Sequence, residues 1–162
     1  MHKILISACF LGENVRYNAV VKTLQHDTLN KWRKESRLIM VCPEVVGGLT
    51  TPRAPAEYIQ QQNKIITSTG DDVTNAFNLG AQQALSLCQK HQINFALLKE
   101  SSPSCGSNTI YDGSFTQTKI AGEGLTTQLL RTNNIRVYSE NNLSELIDII
   151  NYSKTYTIVD EN

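Results

Sequence analysis

Four short apolar runs, separated by helix-like segments, constrain this chain more than any other feature. Lys3-Ile4-Leu5-Ile6-Ser7-Ala8 is mostly β-branched and aliphatic, and it reads as a strand buried on both faces, the kind a parallel sheet uses. The others are Arg37-Leu38-Ile39-Met40-Val41, Ile93 to Lys99, and Ile135-Arg136-Val137-Tyr138-Ser139. Helical patterns fill the gaps. One runs from Ala19 to about Glu35 on Val20, Leu24, Leu29 and Trp32. A second opens at Gly70-Asp71-Asp72, with either acid as N-cap, and carries a stripe of Phe77, Ala81, Ala84, Leu85 and Cys88. A third follows Gly122-Glu123-Gly124 to about Thr132, and a last one spans Leu143 to Ile150. Glu57–Gln61 with Lys64–Ser68 suggests a small hairpin, and Asp112-Gly113 between β-prone residues signals a tight one over 109–116. The pattern predicts an α/β fold: a single domain over 1-150 with a mainly parallel, Rossmann-like sheet, helices on both faces and small β-hairpins. Residues 151-162 read as a C-terminal tail.

Strands of a parallel sheet point the same way, so residues just past their C-terminal ends share one edge. Cys9, Cys42 and Cys105 each follow an apolar run, which places them on the edge where open α/β sheets bind ligands. Cys105 sits in Ser101-Ser102-Pro103-Ser104-Cys105-Gly106, a loop of small residues around one thiol. Cys88, on the inner stripe of its helix, reads as a small apolar filler.

Three thiols from separate loops suit a metal or a cluster better than a disulfide, which uses two and leaves one over. Structural zinc takes four ligands, often in Cys-x-x-Cys pairs, and the sequence contains no such pair. An iron-sulfur cluster on three cysteines leaves one iron open as a Lewis acid and thiophilic anchor. Spacing alone leaves four readings open: a cluster, a zinc ion, a single catalytic or redox cysteine, and unrelated buried thiols.

Glu44 follows Cys42-Pro43 and is expected to project into the same cleft. Burial there would raise its pKa and suit it to move a proton or activate water. Ser102 and Ser104 flank Pro103, placed to donate hydrogen bonds to cluster sulfur or substrate. Arg16 and Arg53 lie in the loops after the first two strands, as candidate contacts for an anion or a substrate carbonyl, or, the more ordinary role for an arginine, as structural partners of Glu13, Glu44 or Glu57. His2, His26 and His91 fall away from this edge and are assigned no chemistry.

Lysine and arginine number 15, as do aspartate and glutamate. No global field therefore draws the chain to nucleic acid or to an anionic membrane. The apolar runs are far below the roughly 20 residues that span a bilayer, and the first is broken at Gly12-Glu13-Asn14 without a cleavage segment. A cytoplasmic protein, with no nucleic-acid or membrane partner, is expected.

Read in order, the motifs are specific. Ala8-Cys9-Phe10-Leu11-Gly12, Arg16-Tyr17-Asn18, Cys42-Pro43-Glu44-Val45-Val46-Gly47-Gly48-Leu49 and Thr51-Pro52-Arg53 are followed by Asp72-Val73-Thr74, Ser102-Pro103-Ser104-Cys105-Gly106 and Ile110-Tyr111-Asp112-Gly113. From about Ile4 to Glu140 the chain resembles the thiouracil desulfurase family, long filed as a domain of unknown function. The resemblance implies a 4Fe-4S cluster held by Cys9, Cys42 and Cys105, with one open iron. It also implies non-redox removal of sulfur from a small thiolated nucleobase such as 2-thiouracil: an activated water attacks the carbon, and uracil and sulfide result. Glu44 matches the family's acid/base carboxylate and Ser102 its active-site serine. Val15 stands where many members have a further cysteine, Asn18-Ala19 where Asp-Gly is common, and Thr50 where proline is common. The rival readings are a non-catalytic metal-cluster or sulfur-handling module, and a thiol enzyme with Cys105 as nucleophile.

Overall fold

The computed structural model describes residues 1–156. Along the chain come β1 (Ile4–Ser7), α1 (Asp27–Lys34), β2 (Leu38–Val41), α2 (Pro43–Val46), β3 (Ala56–Ile59), β4 (Lys64–Thr67) and α3 (Thr74–His91). After them follow β5 (Phe95–Leu97), β6 (Thr109–Tyr111), β7 (Lys119–Ala121), α4 (Leu125–Thr132), β8 (Arg136–Tyr138) and α5 (Leu143–Tyr156). The apolar runs form a four-stranded sheet in the order β2-β1-β5-β8, parallel throughout. The two antiparallel hairpins, β3–β4 and β6–β7, stand apart from it.

β1 is an inner strand, paired on both edges, and its side chains are buried on both faces. Ile4 and Ile6 pack with Leu29 and Trp32 of α1 and Leu146 and Ile150 of α5. Leu5 faces the other way, with Val41, Ala84 and Cys88 of α3 and Leu130 of α4. Helices therefore cover both faces. The chain leaves β1 towards β2 on one side and later returns to β5 on the other, which makes the ends of β1 and β5 the switch point of the sheet.

Four expectations are corrected. The helix expected from Ala19 begins only at Asp27: Ala19 has φ 55°, Val20 and Val21 are exposed, and the Leu24 amide donates to the Phe10 carbonyl at 2.9 Å. His26 caps α1 by accepting the Thr28 amide on Nδ1 at 3.1 Å. Asp112-Gly113 is not a two-residue turn, since Tyr111 pairs with Lys119 across a loop of residues 112–118. The last helix continues past Ile150 to Tyr156. The remainder of the expected tail, 157–162, lies outside the described residues. Neither acid is the N-cap of α3: Val73 holds that position without a side-chain cap, and Asp72, one residue earlier, accepts from the Thr74 amide at 3.0 Å.

One close approach fixes where Cys42 and Glu44 sit. A Cβ on Gly80 of α3 would lie 1.9 Å from the Pro43 carbonyl oxygen, so α3 meets the backbone of α2 with no room for a side chain. Gly80→Ala is expected to lower the unfolding free energy by about 1–3 kcal/mol, the range for forcing a methyl into a packed interior. Urea denaturation checks it, and an unchanged midpoint would contradict the contact.

Candidate active site

Each thiol is presented by a different local device. Beyond β1 the chain tightens into a 3-10 turn over Ala8–Leu11, which buries Cys9. Beyond β2, Cys42 is an extended residue ahead of Pro43, which opens α2 at its first position, where its fixed φ is already helical. The Cys42 Sγ donates to the Val15 carbonyl at 3.8 Å.

The Cys105 loop is held from two sides. Helix α4 starts at Gly124 without a side-chain cap. Instead its first amides donate to the loop: Gly124 to the Gly106 carbonyl at 2.9 Å, Leu125 to Pro103 at 3.0 Å and Thr126 to Ser104 at 2.9 Å. The Thr127 hydroxyl donates to the Cys105 carbonyl at 2.9 Å. A Cβ on Gly124 would lie 2.3 Å from the Ser104 carbonyl carbon, so glycine permits the approach. From the other side, buried Glu100 accepts the amides of Ser107 at 2.8 Å, Asn108 at 3.0 Å and Thr109 at 3.1 Å and the Ser107 hydroxyl at 2.7 Å. Burial pushes the Glu100 carboxyl up, but the donors of Asn108, Ser107 and Thr109 outweigh it and hold it well below the usual carboxylate range.

The three loops open on one cleft of about 650 Å³, lined by Cys9, Cys42 and Cys105 together with Arg16, Glu44, Arg53 and Ser102. All four cysteines are unpaired thiols, and Cys88, buried in the core under α3, does not line the cleft. Burial, and then the neighbouring Cys42, push the Cys9 thiol up to about 11, while Lys99 and Arg16 oppose the shift. Burial raises Cys42, with Glu44 adding to it. Cys105 is raised most by burial, then by Cys42 and Glu44. The three thiols thus lie within one another's fields. Among the described residues no His, Cys, Asp or Glu group is drawn together tightly enough to hold a single metal ion. A four-iron cube sets its thiolates farther apart than one ion does, and this donor set fits it: three soft ligands around open space, with no fourth cysteine in the cleft.

Glu44 has a cationic partner, one of the arginine–carboxylate pairings the sequence offers. Arg53 donates to it through Nε at 2.8 Å and Nη2 at 2.5 Å, both on Oε2. The same Nη2 reaches the Val15 carbonyl at 3.0 Å. Oε1 is left facing the Ser102 hydroxyl at 3.5 Å. Ser102 Oγ accepts the Ser104 and Cys105 amides, both at 3.1 Å. With its lone pairs taken, Ser102 has a proton to donate and little capacity to accept one.

Ser104 differs from the expectation of a substrate contact. It is fully buried, shares a hydrogen bond with Thr126 at 2.8 Å and does not line the cleft. Among the cleft residues without a sequence signal are Glu100, Lys99 and Glu140. Lys99 forms an ion pair with Glu140, whose Oε2 also accepts the Glu100 amide at 2.9 Å. These partners are 40 residues or more apart in sequence, and no local pattern announces them.

Fold and site together define an α/β protein whose switch-point cleft gathers three unpaired thiols, a carboxylate–guanidinium pair and a donor serine. Residues 4–142 match the 2-thiouracil desulfurase family, and the chain belongs to that family. It is 40% identical over 155 residues to the uncharacterized protein YbbK of Bacillus subtilis (strain 168), covering 89% of this chain and 99% of that one. It is also similar to the solved structure of the 4Fe-4S-dependent thiouracil desulfidase TudS, with 48% identity, a TM-score of 0.90, and coverage of 94% of this chain and 99% of that one.

In cluster-free, reduced protein the Cys9 thiol is expected to resist alkylation at neutral pH and to gain reactivity as pH rises towards about 11. The folded thiol binds its proton more tightly than the unfolded one. The stability linked to it is therefore complete below the ordinary value of 9.0 and lost as pH climbs through about 11. Mass-spectrometric labelling against pH reads this out; neutral-pH labelling as fast as in urea would contradict it.

Proposed function

We propose that this chain is an iron-sulfur-dependent, non-redox desulfidase that removes sulfur from a thiolated pyrimidine such as 2-thiouracil, giving uracil and sulfide. The balance is simple: the thione and one water become the carbonyl compound and hydrogen sulfide, with no net electron transfer. The observation that carries the reading is the convergence of Cys9, Cys42 and Cys105 on one cleft without a fourth thiol. Likeness to TudS over 94% of the chain supports it. In this reading the three cysteines hold a 4Fe-4S cluster, and a single domain over 1-150 carries the activity. Unpaired thiols suit the reducing cytoplasm as its location, and no helix among the described residues is long and apolar enough to cross a membrane.

When bound, the cluster supplies a thiophilic, Lewis-acidic iron for the substrate sulfur. The rest falls to protein groups. Arg53 occupies Oε2 of Glu44 and fixes its rotamer, so Oε1 is the oxygen free to take a proton from the attacking water and return it to the departing sulfur. Ser102, a donor only, steadies Oε1 or the developing charge on the pyrimidine oxygen. Arg16, with no ion pair among the described residues, faces the cleft and contributes positive potential at Cys9 and a contact for the substrate carbonyl.

Anaerobic preparation followed by iron and acid-labile sulfide analysis tests the cofactor. Cys9→Ser, Cys42→Ser and Cys105→Ser are each expected to lose most bound iron, and Cys88→Ser to keep it. Glu44→Ala is expected to keep iron and sulfide at wild-type levels while kcat for 2-thiouracil falls by about 10²-fold or more. A fully loaded wild-type protein that turns over no thiolated base would overturn the desulfidase reading and leave a cluster or sulfur-handling module.

A further inference from the structure

Three aromatic side chains line the cleft without a part in the chemistry above; the Tyr111 ring is already covered by the Lys119 ammonium at 5.6 Å, which leaves two. Phe115 and Tyr17 both line it, and they leave 38% and 42% of their surfaces exposed. A single exposed ring is ordinary, but Phe115 is forced into place. Its backbone has φ 58°, a left-handed conformation that a bulky side chain rarely adopts and that persists only where its surroundings impose it.

The imposing group is Glu57 of β3, a carboxylate only 8% exposed. It accepts the Gly113 amide at 2.9 Å and the Phe115 amide at 3.0 Å on the same oxygen, which ties the 112–118 loop to the neighbouring hairpin. Tyr17 is tied down as well, since its carbonyl accepts the Arg53 amide at 2.8 Å. Among the described residues neither ring packs against another aromatic. Part of each ring is therefore open beside a cleft that is also lined by the three thiols.

We propose that Phe115, held in a left-handed backbone by Glu57, is the residue on which the planar ring of the substrate stacks, with Tyr17 as the second aromatic wall. The ligand class is a flat heteroaromatic thione, and the inference rests on the desulfidase reading for the identity of that ring. Stacking tolerates any planar base, so Phe115 sets affinity for flat rings and leaves the choice of exocyclic groups to polar residues such as Arg16 and Ser102.

The test uses the cluster-loaded protein and two probes: turnover of 2-thiouracil, and calorimetric binding of uracil, which cannot react. Phe115→Leu keeps an apolar side chain without a π face, and Phe115→Trp keeps the π face. With iron and sulfide content equal to wild type, Phe115→Leu is expected to raise KM and the uracil Kd by about tenfold, with kcat within about twofold. Phe115→Trp is expected to restore both constants. Wild-type KM and Kd in Phe115→Leu would overturn the stacking role, as would a fall in kcat alone. If wild-type protein binds uracil in a Phe115-dependent way yet desulfurates nothing, the functional reading fails and the stacking role stands. If it binds no uracil, the stacking role fails.

Discussion

The parallel pairing of β1 with a strand on either side is the constraint on which the site depends. Its register sets Ser7 beside Val41 and Ile6 beside Leu97, so three strand ends finish at one level. A slip of one residue would turn every side chain of β1 to the opposite face. Ile4, Leu5 and Ile6 are wholly buried in two different cores, so such a slip is costly in both directions. The position of Cys9 relative to Cys42 is thus fixed by sheet packing rather than by contacts between the cysteines themselves.

Cys105 needs more help, because it lies well beyond the end of β5. The fold supplies that help by letting one shortage answer another. The first amides of any helix lack intrahelical partners, and a loop of small residues has carbonyls to place. Helix α4 and the 103–106 loop satisfy each other through main-chain hydrogen bonds. Glu100 gathers the amides on the far side of the same loop. A buried carboxylate with several donors is tolerable where an unpaired one is not. These backbone contacts leave the Cys105 thiol facing the cleft.

What the sequence disclosed follows from the same physics. Strands buried on both faces announce themselves as apolar runs, and parallel topology then orders Cys9, Cys42, Cys105, Glu44 and Ser102 along one edge. Periodicity misled where apolar residues stay outside the core, as at Val20 and Val21. Asp112-Gly113 misled because Glu57, distant in sequence, takes the Gly113 amide and the strand pairing resumes only at Lys119. Ser104 was placed in the right loop, yet its hydroxyl turns inward to Thr126. Lys99 and Glu140 acquire their roles through partners about 40 residues away, and Glu100 through amides seven to nine residues on that only the closed loop brings to it.

The electrostatics of the cleft divide into two regions with opposite demands. Around the thiols, burial favours the neutral S–H form, so gathering three thiolates requires a strongly cationic occupant that displaces their protons. Lys99 and Arg16 reduce that demand at Cys9 without forming a hydrogen-bonded contact that would tie up the sulfur. Around Glu44 the requirement is direction rather than charge alone. A guanidinium in fork-to-fork contact would engage both carboxylate oxygens. Arg53 instead crowds two nitrogens onto Oε2, which leaves Oε1 to Ser102 and the cleft. Keeping one oxygen bound and one available gives the pair an open carboxylate edge towards Ser102 rather than a closed salt bridge.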